Sequence, residues 1–341
     1  MTYTTAIIFA LILSFAIAAL LGFAVIPWLR KLKFGQTILD IGPAWHKAKQ
    51  GTPTMGGIMF IVSTVTAFLA VIITDRLTGG NLLVGNSVVP DSVKVKIFAG
   101  ILMSLGFGLI GFADDYIKVV KKRNLGLTIS QKSIAQILLM LAYLGALFMS
   151  GNTFMNIPFV GSVDLKWFFW IFGMAVIYLT VNAVNFTDGI DGLCASVTST
   201  AAIALIVIAV LKGMFGVGIL AASLAGGCIG YLIWNWHPSK VMMGDTGSMF
   251  LGGMIVALAY AIDAPLIILF IGLIYVIEMA SDILQIGYFK ATHGKRIFKM
   301  APIHHHFEMC GWKEVKIVIV FSIVNIIGSI IGVALFYLGN K

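Results

Sequence analysis

The chain has 341 residues, of which 60% are hydrophobic and only 11% are charged, and its mean hydropathy is +1.01. Soluble domains carry about 25% charged residues, so this composition excludes a soluble globular protein and predicts an all-α, polytopic membrane protein. Apolar runs such as residues 201–211 do not alternate with polar residues, which excludes a transmembrane β-barrel. We interpret the net charge of +9 as a determinant of membrane topology and not of nucleic-acid binding.

The hydropathy pattern predicts ten membrane spans in a single membrane-embedded domain, residues 1–341. The N-terminal apolar stretch is too long for a signal peptide and is interpreted as the first span. The break between spans 8 and 9 depends on Asp263-Ala264-Pro265, which fit either a tight hairpin or a kink in one longer helix. The predicted spans are residues 5–26, 55–74, 97–113, 132–150, 167–184, 195–211, 217–235, 247–262, 266–288 and 317–338.

The distribution of lysine and arginine predicts the orientation of these spans. Of the 23 basic residues, 17 lie in loops that follow odd-numbered spans. The positive-inside rule therefore places those loops in the cytoplasm and both termini outside. A kink at Pro265 would abolish this bias, so we favour the hairpin. On the outer side, residues 153–163 could form a small β-hairpin.

Five of the 14 acidic residues lie in three short polar segments that follow spans 3, 5 and 7. These segments share the predicted cytoplasmic side. Carboxylates at a membrane edge are costly, so five of them together predict a site for a hard cation and for the phosphates that such a cation binds. The five residues are Asp114, Asp115, Asp188, Asp191 and Asp245.

The first acidic segment ends span 3. On a helix, Asp114 and Lys118 are four residues apart and share a face. This spacing suits a carboxylate for metal binding or proton transfer beside a lysine for phosphate. The alternative is a routine ion pair at an exposed helix end.

The second acidic segment follows span 5, where Asn182, Asn185, Asp188 and Asp191 recur every three residues. Together they offer oxygen ligands and amide donors, and Gly189 permits close approach of the backbone to a ligand. The alternative is a polar helix cap followed by a glycine turn.

The third acidic segment begins span 8. Backbone N–H groups at the start of a helix attract anions. Asp245 there could bind Mg²⁺ or serve as a helix N-cap, and both interpretations remain open. Asn235 precedes it among interfacial aromatic residues. Lys49 and Thr54, before span 2, are candidates for diphosphate contact beside the acidic segments.

Three consecutive histidines, His304, His305 and His306, lie in the last predicted cytoplasmic loop. Phosphate contact or proton donation near neutral pH is the favoured interpretation. A Zn²⁺ site with Cys310 would not match a standard ligand spacing.

Together these motifs resemble the polyprenyl-phosphate N-acetylhexosamine-1-phosphate transferase superfamily and, within it, the phospho-N-acetylmuramoyl-pentapeptide transferase family. The resemblance runs along the whole chain, in order, through GTPTMGG, ADDYIK, NAVNFTDGIDGL, MGDTGS and PIHHHFE. The acidic motifs occur across the superfamily, whereas the first and last motifs are more specific to the muramoyl-pentapeptide branch.

The resemblance implies a ten-span homodimer in the bacterial cytoplasmic membrane with its active site on the cytoplasmic face. It also implies transfer of phospho-MurNAc-pentapeptide from UDP to undecaprenyl phosphate, giving lipid I and UMP with Mg²⁺. This reaction is the first membrane step of peptidoglycan synthesis.

The resemblance also implies roles for individual residues. Asp245 would be the Mg²⁺ ligand, with Asp188 in the metal region. Asp114 would be the base toward the lipid phosphate, supported by Asp115, and His304 would face the sugar and diphosphate. The residues assigned to substrate binding, from the motifs and the resemblance together, are Lys49, Thr54, Lys118, Asn182, Asn185, Asp188, Gly189, Asp191, Asn235, Met242, Gln285, His305 and His306.

One position departs from the family pattern. Met242 stands where many relatives have a phenylalanine that stacks on uracil. A sulfur–ring contact could replace that stacking.

Two rival functions remain. A transferase that uses UDP-GlcNAc for another surface glycan would share the acidic motifs, but the histidine run argues against it. A cation-coupled or proton-coupled transporter would also carry intramembrane carboxylates. Transporter sites tend to lie near the midplane between repeats, whereas here the carboxylates gather at one edge and no repeat is visible.

Overall fold

A computed structural model of the chain describes residues 1–32, 49, 51–85, 89–120 and 126–339. Several basic residues that predict the orientation lie outside these ranges, namely Lys33, Lys47, Lys121, Lys122, Arg123 and Lys341. The helices are α1 (Tyr3–Lys31), α2 (Ile58–Leu77), α3 (Pro90–Val120), α4 (Ile129–Met149), α5 (Phe168–Thr187), α6 (Leu193–Leu211), α7 (Phe215–Asn235), α8 (Gly244–Ala261), α9 (Ile268–Ile271), α10 (Leu273–Ala291), α11 (Ile303–Met309) and α12 (Glu314–Gly339).

The predicted hairpin is confirmed. Strands β1 (Phe154–Ile157) and β2 (Gly161–Asp164) pair antiparallel, with Phe154 opposite Asp164. The Asn156 backbone N–H donates to the Asp263 carbonyl oxygen at 2.7 Å. The hairpin therefore docks at the end of α8.

The prediction of a multi-pass helical membrane protein is also confirmed, but the count of ten spans is not. Among the described residues, eight helices are long and apolar enough to cross a membrane. A ninth span results if Pro265–Ile271 and Leu273–Ala291, which meet at an angle of 87°, form one broken span. The predicted span 8 corresponds to α8, which has 18 residues and opens with the polar sequence GDTGS. Because α8 ends at Ala261, it is not continuous with the helical segment that starts at Pro265.

Helix α8 lies at the centre of the protein. All of residues 246–261 are buried, and α8 packs chiefly against α3 and α5. A helix surrounded by other helices has little contact with lipid, so it tolerates a less apolar sequence than its neighbours do.

The crossing of α3 and α8 positions the acidic residues. A Cβ atom at Gly111 would lie only 2.1 Å from the Asp245 carbonyl oxygen. Glycine at this position therefore allows the two backbones to approach closely. Because Asp114 and Asp115 follow Gly111 within about one helical turn, the crossing places them beside the start of α8.

The remaining motifs are brought to the same end of the bundle by short connections. Residues 188–192 join α5 to α6, and residues 236–243 join α7 to α8. The short helix α11 packs against α10 and α12. The end of α5, the start of α8 and the histidine-bearing α11 therefore meet around one site.

Candidate active site

Asp114, Asp115 and Asp245, here called the aspartate cluster, form the centre of the site. Their ligand oxygens all lie within 4.8 Å of one another. Asp114 and Asp115 are each only 4% exposed. Asp245 is partly exposed. Carboxylates at this separation repel one another, so nearby cations stabilise them.

Two lysines supply part of that positive charge. Lys118 Nζ lies 2.5 Å from Asp114 Oδ2 and 3.4 Å from Asp245 Oδ2. Lys132 Nζ, from the first turn of α4, lies 2.7 Å from Asp245 Oδ2. Among the described residues, two ammonium groups therefore face three carboxyl groups, an arrangement that can accommodate a further cation.

Asp115 has a structural contact that separates it from the other two aspartates. Its Oδ2 accepts hydrogen bonds from the Thr246 backbone N–H at 2.9 Å and from the Thr246 hydroxyl at 2.7 Å. Its Oδ1 accepts from the Asp245 N–H at 3.3 Å. Asp115 thus satisfies the free N–H groups at the start of α8 from a different helix. The side chain of Asp245 is therefore not needed as the cap.

Asn185 ties the end of α5 to this cluster. Its Nδ2 donates to Asp245 Oδ1 at 3.0 Å and to the Ser248 hydroxyl at 2.8 Å. Thr54 lies on another side, since a Cβ at Gly244 would lie 2.7 Å from Thr54 Oγ1 and 2.4 Å from Asp115 Oδ2. Both residues were predicted to belong to the site, and the structure brings both next to the aspartates.

The segment that carries Thr54 is held by backbone hydrogen bonds to the α7–α8 connection. The Met242 N–H donates to the Pro53 carbonyl at 2.8 Å, and the Gly56 N–H donates to the Met242 carbonyl at 2.9 Å. Met242 is thereby fixed at the edge of the site with a half-buried side chain.

A second group, here called the Asp191 cluster, consists of Lys49, Asp191, His237 and Glu314. Lys49 Nζ lies 2.8 Å from Asp191 Oδ1 and 2.7 Å from Glu314 Oε2. His237 Nδ1 lies 2.9 Å from Asp191 Oδ2. Glu314 Oε2 also accepts from the Asp191 backbone N–H at 3.0 Å. Alongside, Asn235 Oδ1 accepts from the Gly192 N–H at 3.0 Å.

Asp188 interacts electrostatically with members of both clusters. Burial raises the pKa of Asp188 well above its ordinary range, and the negative charges of Asp245, Asp115 and Asp191 raise it further. The charge of Lys49 acts in the opposite direction. A cation bound beside Asp188 would oppose these effects and favour its charged form.

The three histidines have different surroundings. His304 is completely buried, and its Nδ1 lies 3.1 Å from Glu278 Oε2. His305 Nδ1 lies 2.6 Å from Glu308 Oε2. His306 Nδ1 accepts from the Lys299 backbone N–H at 3.1 Å. Of the three, His304 is the one whose ring packs against Gly189, in the loop between Asp188 and Asp191.

Two further predicted site residues form supporting hydrogen bonds. Asn182 Nδ2 donates to Gln136 Oε1 at 3.2 Å, which links α5 to α4. Gln285 Oε1 accepts from the backbone N–H groups of Ile297 and Phe298, at 3.1 and 3.0 Å. Gln285 therefore braces the loop that leads to the histidines.

The sequence reasoning assigned no role to four residues that contact the site, namely Lys132, His237, Glu278 and Glu314. Glu278 carried a usable signal, because a carboxylate within an apolar helix is rare without a function. Glu314 begins the last span on the same predicted side as the five aspartates, and the same parity argument could have identified it.

Among the described residues, two clusters of three side chains could each hold a metal ion. The aspartate cluster offers oxygen atoms alone, which suits a hard cation such as Mg²⁺. Asp191, His237 and Glu314 offer a mixed set of oxygen and nitrogen ligands. The donor chemistry therefore fits Mg²⁺ better at the aspartate cluster.

Comparison with known proteins identifies the family. Residues 97–263, which include all five aspartates, match the model of glycosyl transferase family 4, and residues 49–61 match phospho-N-acetylmuramoyl-pentapeptide-transferase signature 1. A phospho-N-acetylmuramoyl-pentapeptide-transferase of Acetivibrio thermocellus is 44% identical over 95% of this chain and 94% of its own length. The chain belongs to the phospho-N-acetylmuramoyl-pentapeptide-transferase family.

Two other relatives also match this chain over nearly their whole length. The Listeria monocytogenes serovar 1/2a protein of the same name is 44% identical over 90% of this chain and 91% of its own length. The Bacillus velezensis protein is 40% identical, with 96% and 97% covered. The family resemblance predicted from the motifs is therefore confirmed along almost the whole chain.

Proposed function

We propose that this chain transfers phospho-N-acetylmuramoyl-pentapeptide from UDP to undecaprenyl phosphate, giving lipid I and UMP with Mg²⁺ in the first membrane step of peptidoglycan synthesis. Relatives named for this transfer match nearly the whole chain. The structural observation that carries the proposal is the aspartate cluster with its two lysines, at one end of a bundle of apolar helices. The reaction transfers a phospho-sugar from a water-soluble nucleoside diphosphate to a lipid phosphate and releases UMP, and a polar site at the end of an apolar bundle suits both substrates.

Asp245 and Asp188 would hold the Mg²⁺ ion. Asp245 is free of the capping contact that engages Asp115, and Asp188 lies within its electrostatic reach. When bound, Mg²⁺ would neutralise charge on the diphosphate and on the departing UMP.

Asp114 and Lys118 would act on the lipid phosphate. Asp114 would accept a proton from the phosphate, and Lys118 would bind its oxygens. Because Lys118 pairs with both Asp114 and Asp245, it can exchange a carboxylate for a phosphate oxygen within the same small volume. A direct attack by the lipid phosphate, with UMP as the leaving group, would need a base such as Asp114 but no nucleophilic side chain of the protein.

An apolar groove supports the binding of a polyprenyl chain. It has a volume of about 260 Å³ and is lined by α5, by α10 and by the bend between Pro265 and Tyr275. On α5 the lining runs through Val176 and Thr180 to Ala183, about one turn before Asp188. A lipid tail in this groove would bring its phosphate toward the aspartate cluster.

The nucleotide would bind on the side of the Asp191 cluster. Lys49 would contact the diphosphate, while Asp191, Asn235 and Gly189 would line the nucleoside region. Met242 would face uracil, and His304, His305 and His306 would face the sugar. We also propose that the site faces the cytoplasm, with both termini outside, and that the protein is a homodimer.

The decisive test is release of UMP by the purified protein in lipid nanodiscs. We expect release from UDP-MurNAc-pentapeptide that requires both polyprenyl phosphate and Mg²⁺. UDP-GlcNAc in place of the donor should give little UMP. Release with UDP-GlcNAc alone, or no release with either donor, would contradict the proposal. Trapping a covalent phospho-sugar on the protein would replace direct attack with a two-step route.

A further inference from the structure

Glu278 on α10 and His304 on α11 form a fully buried pair. Both side chains are 0% exposed, and His304 Nδ1 lies 3.1 Å from Glu278 Oε2. A carboxylate this deeply buried is costly unless a hydrogen-bond donor or an opposite charge compensates it. With Glu278 ionised, the imidazole N–H is the donor to Oε2, whereas Glu278 Oε1 has no hydrogen-bond partner among the described residues. The hydrogen bond also determines the tautomer and ring plane of His304, because Nδ1 must carry the proton it donates.

The opposite edge of the imidazole faces the loop between α5 and α6. A Cβ atom at Gly189 would lie 2.1 Å from His304 Nε2, so the ring occupies the space that any other residue type would need. The ring therefore packs against the loop that carries Asp188 and Asp191. Its Nε2 atom, which has no hydrogen-bond partner among the described residues, faces that loop.

We infer that Glu278 is a positioning residue for the transfer. Through Nδ1 it holds the His304 ring against Gly189, and the ring in turn fixes the loop that carries Asp188. The inference rests on the proposed function for its effect on turnover. The hydrogen bond between Glu278 and His304 can be tested without it.

A nearby carboxylate provides a matched control. Asp282 lies one turn further along α10 and interacts with Glu278 and His304 through charge. Among the described residues, it has no hydrogen bond to the imidazole. Asp282→Asn and Glu278→Gln make the same carboxylate-to-amide change on the same helix, but only the second alters the bond to Nδ1.

Steady-state kinetics should separate positioning from binding. Misplacement of a catalytic group by about 1 Å can cost about a hundredfold in rate. We therefore expect Glu278→Leu to lower kcat by up to about a hundredfold, with a smaller rise in KM for the nucleotide sugar because Gly189 lines the proposed nucleoside region. Glu278→Gln, which keeps an oxygen acceptor, should lose less, and Asp282→Asn should stay close to wild type.

A double-mutant cycle tests whether Glu278 acts through His304. Adding Glu278→Gln to His304→Ala should give no further loss, because the ring that Glu278 holds is already absent. Multiplying losses in the double variant would overturn the inference, as would wild-type kcat in Glu278→Leu or equal losses in Glu278→Gln and Asp282→Asn. Thermal unfolding in detergent identifies any variant that loses activity by unfolding, and Glu278→Gln, which keeps side-chain shape, then carries the test.

Nitrogen NMR of ¹⁵N-histidine-labelled protein provides a readout independent of turnover. The His304 ring should show a protonated Nδ1 in the wild type, and this signature should be lost in Glu278→Leu but kept in Asp282→Asn. A wild-type His304 protonated only at Nε2 would overturn the inference. Absence of UMP release by a wild type that keeps the Nδ1 signature would instead contradict the proposed function.

Discussion

The aspartate cluster and the Asp191 cluster lie at the same end of the helix bundle but differ in the ligand atoms that they offer. In both clusters one lysine pairs with two carboxylates. The aspartate cluster offers carboxylate oxygens alone, whereas the Asp191 cluster adds the His237 imidazole. Because a hard cation such as Mg²⁺ prefers oxygen ligands, the first cluster is better suited to bind a metal ion and the second to present Lys49 to a diphosphate.

The largest effect should come from the aspartate cluster itself. Asp245→Asn removes the carboxylate that both lysines and Asn185 contact, and we expect roughly a thousandfold loss of UMP release, since removing one preorganised electrostatic group costs about 10²–10³ in rate. Glu314→Gln, the same chemical change in the Asp191 cluster, should cost much less. Equal losses in the two variants, with both proteins folded by thermal unfolding, would break the distinction between the clusters.

The geometry of the aspartate cluster should be sensitive to the crossing of α3 and α8. Gly111→Ala places a methyl group 2.1 Å from the Asp245 carbonyl oxygen, so the helices must separate. Overpacking of this kind costs about 1–3 kcal/mol, and the thermal unfolding midpoint in detergent should fall accordingly.

A matched glycine controls for the substitution itself. At Gly145 on α4, the added methyl group would contact the Trp170 ring at 3.9 Å and no other group within 4 Å among the described residues. Gly145→Ala should therefore leave the unfolding midpoint unchanged or raise it, because alanine is the better helix former. A fall in the midpoint as large as that of Gly111→Ala would show that the α3–α8 crossing is not special.

The two clusters should also respond differently when a lysine is removed. Lys132→Met should mainly lower kcat, because it alters the charge beside Asp245. Lys49→Met should mainly raise KM for the nucleotide sugar, by roughly tenfold, as expected when binding rather than transition-state stabilisation is lost. Steady-state kinetics against the nucleotide sugar measures both. The reverse pattern would exchange the roles assigned to the clusters.

The smallest expected effect is the pH dependence of cation binding that arises from the proton on Asp188. Because the pKa of Asp188 is raised in the folded protein, its charged form is disfavoured there. This residue's contribution to stability is thus present at low pH and is lost as pH rises from its unfolded pKa through its folded pKa. A cation must displace that proton, so cation affinity should increase with pH over the same interval.

Binding of Mn²⁺, followed by its electron paramagnetic resonance signal, measures this dependence. Asp188→Asn should bind the ion more weakly and with a flatter pH dependence. An unchanged slope in that variant would mean that another group carries the proton.

Much of the site could be predicted because its motifs are local. The spacing of Asp114 and Lys118 predicted a shared helix face, and these residues form an ion pair. The interruption of apolar spans predicted which residues lie at a membrane edge. The hairpin over residues 154–164 followed from its turn-forming and β-branched residues. The roles of the individual site residues stay predictions.

Other features could not be predicted because they depend on helix packing. The ten-span count treated α8 as a helix like the others, although all of its residues 246–261 are buried. The cap that Asp115 provides for α8 joins residues 131 positions apart, and the bridge from Lys49 to Glu314 joins residues 265 apart. The pairing of Glu278 with His304 needed the relative placement of α10 and α11.

The sequence by itself determined that this protein is a helical membrane protein, that its acidic motifs lie at the ends of spans and that it resembles one transferase family. These properties follow from hydrophobicity and from spacing along one helix, which act locally. Only the tertiary structure decided that three of the five aspartates form a cluster of oxygen ligands, that Asp191 joins a separate cluster with a histidine, and that Asp188 interacts with both. That division depends on which backbones approach closely, and close contacts between distant segments leave no periodic signal in a single chain.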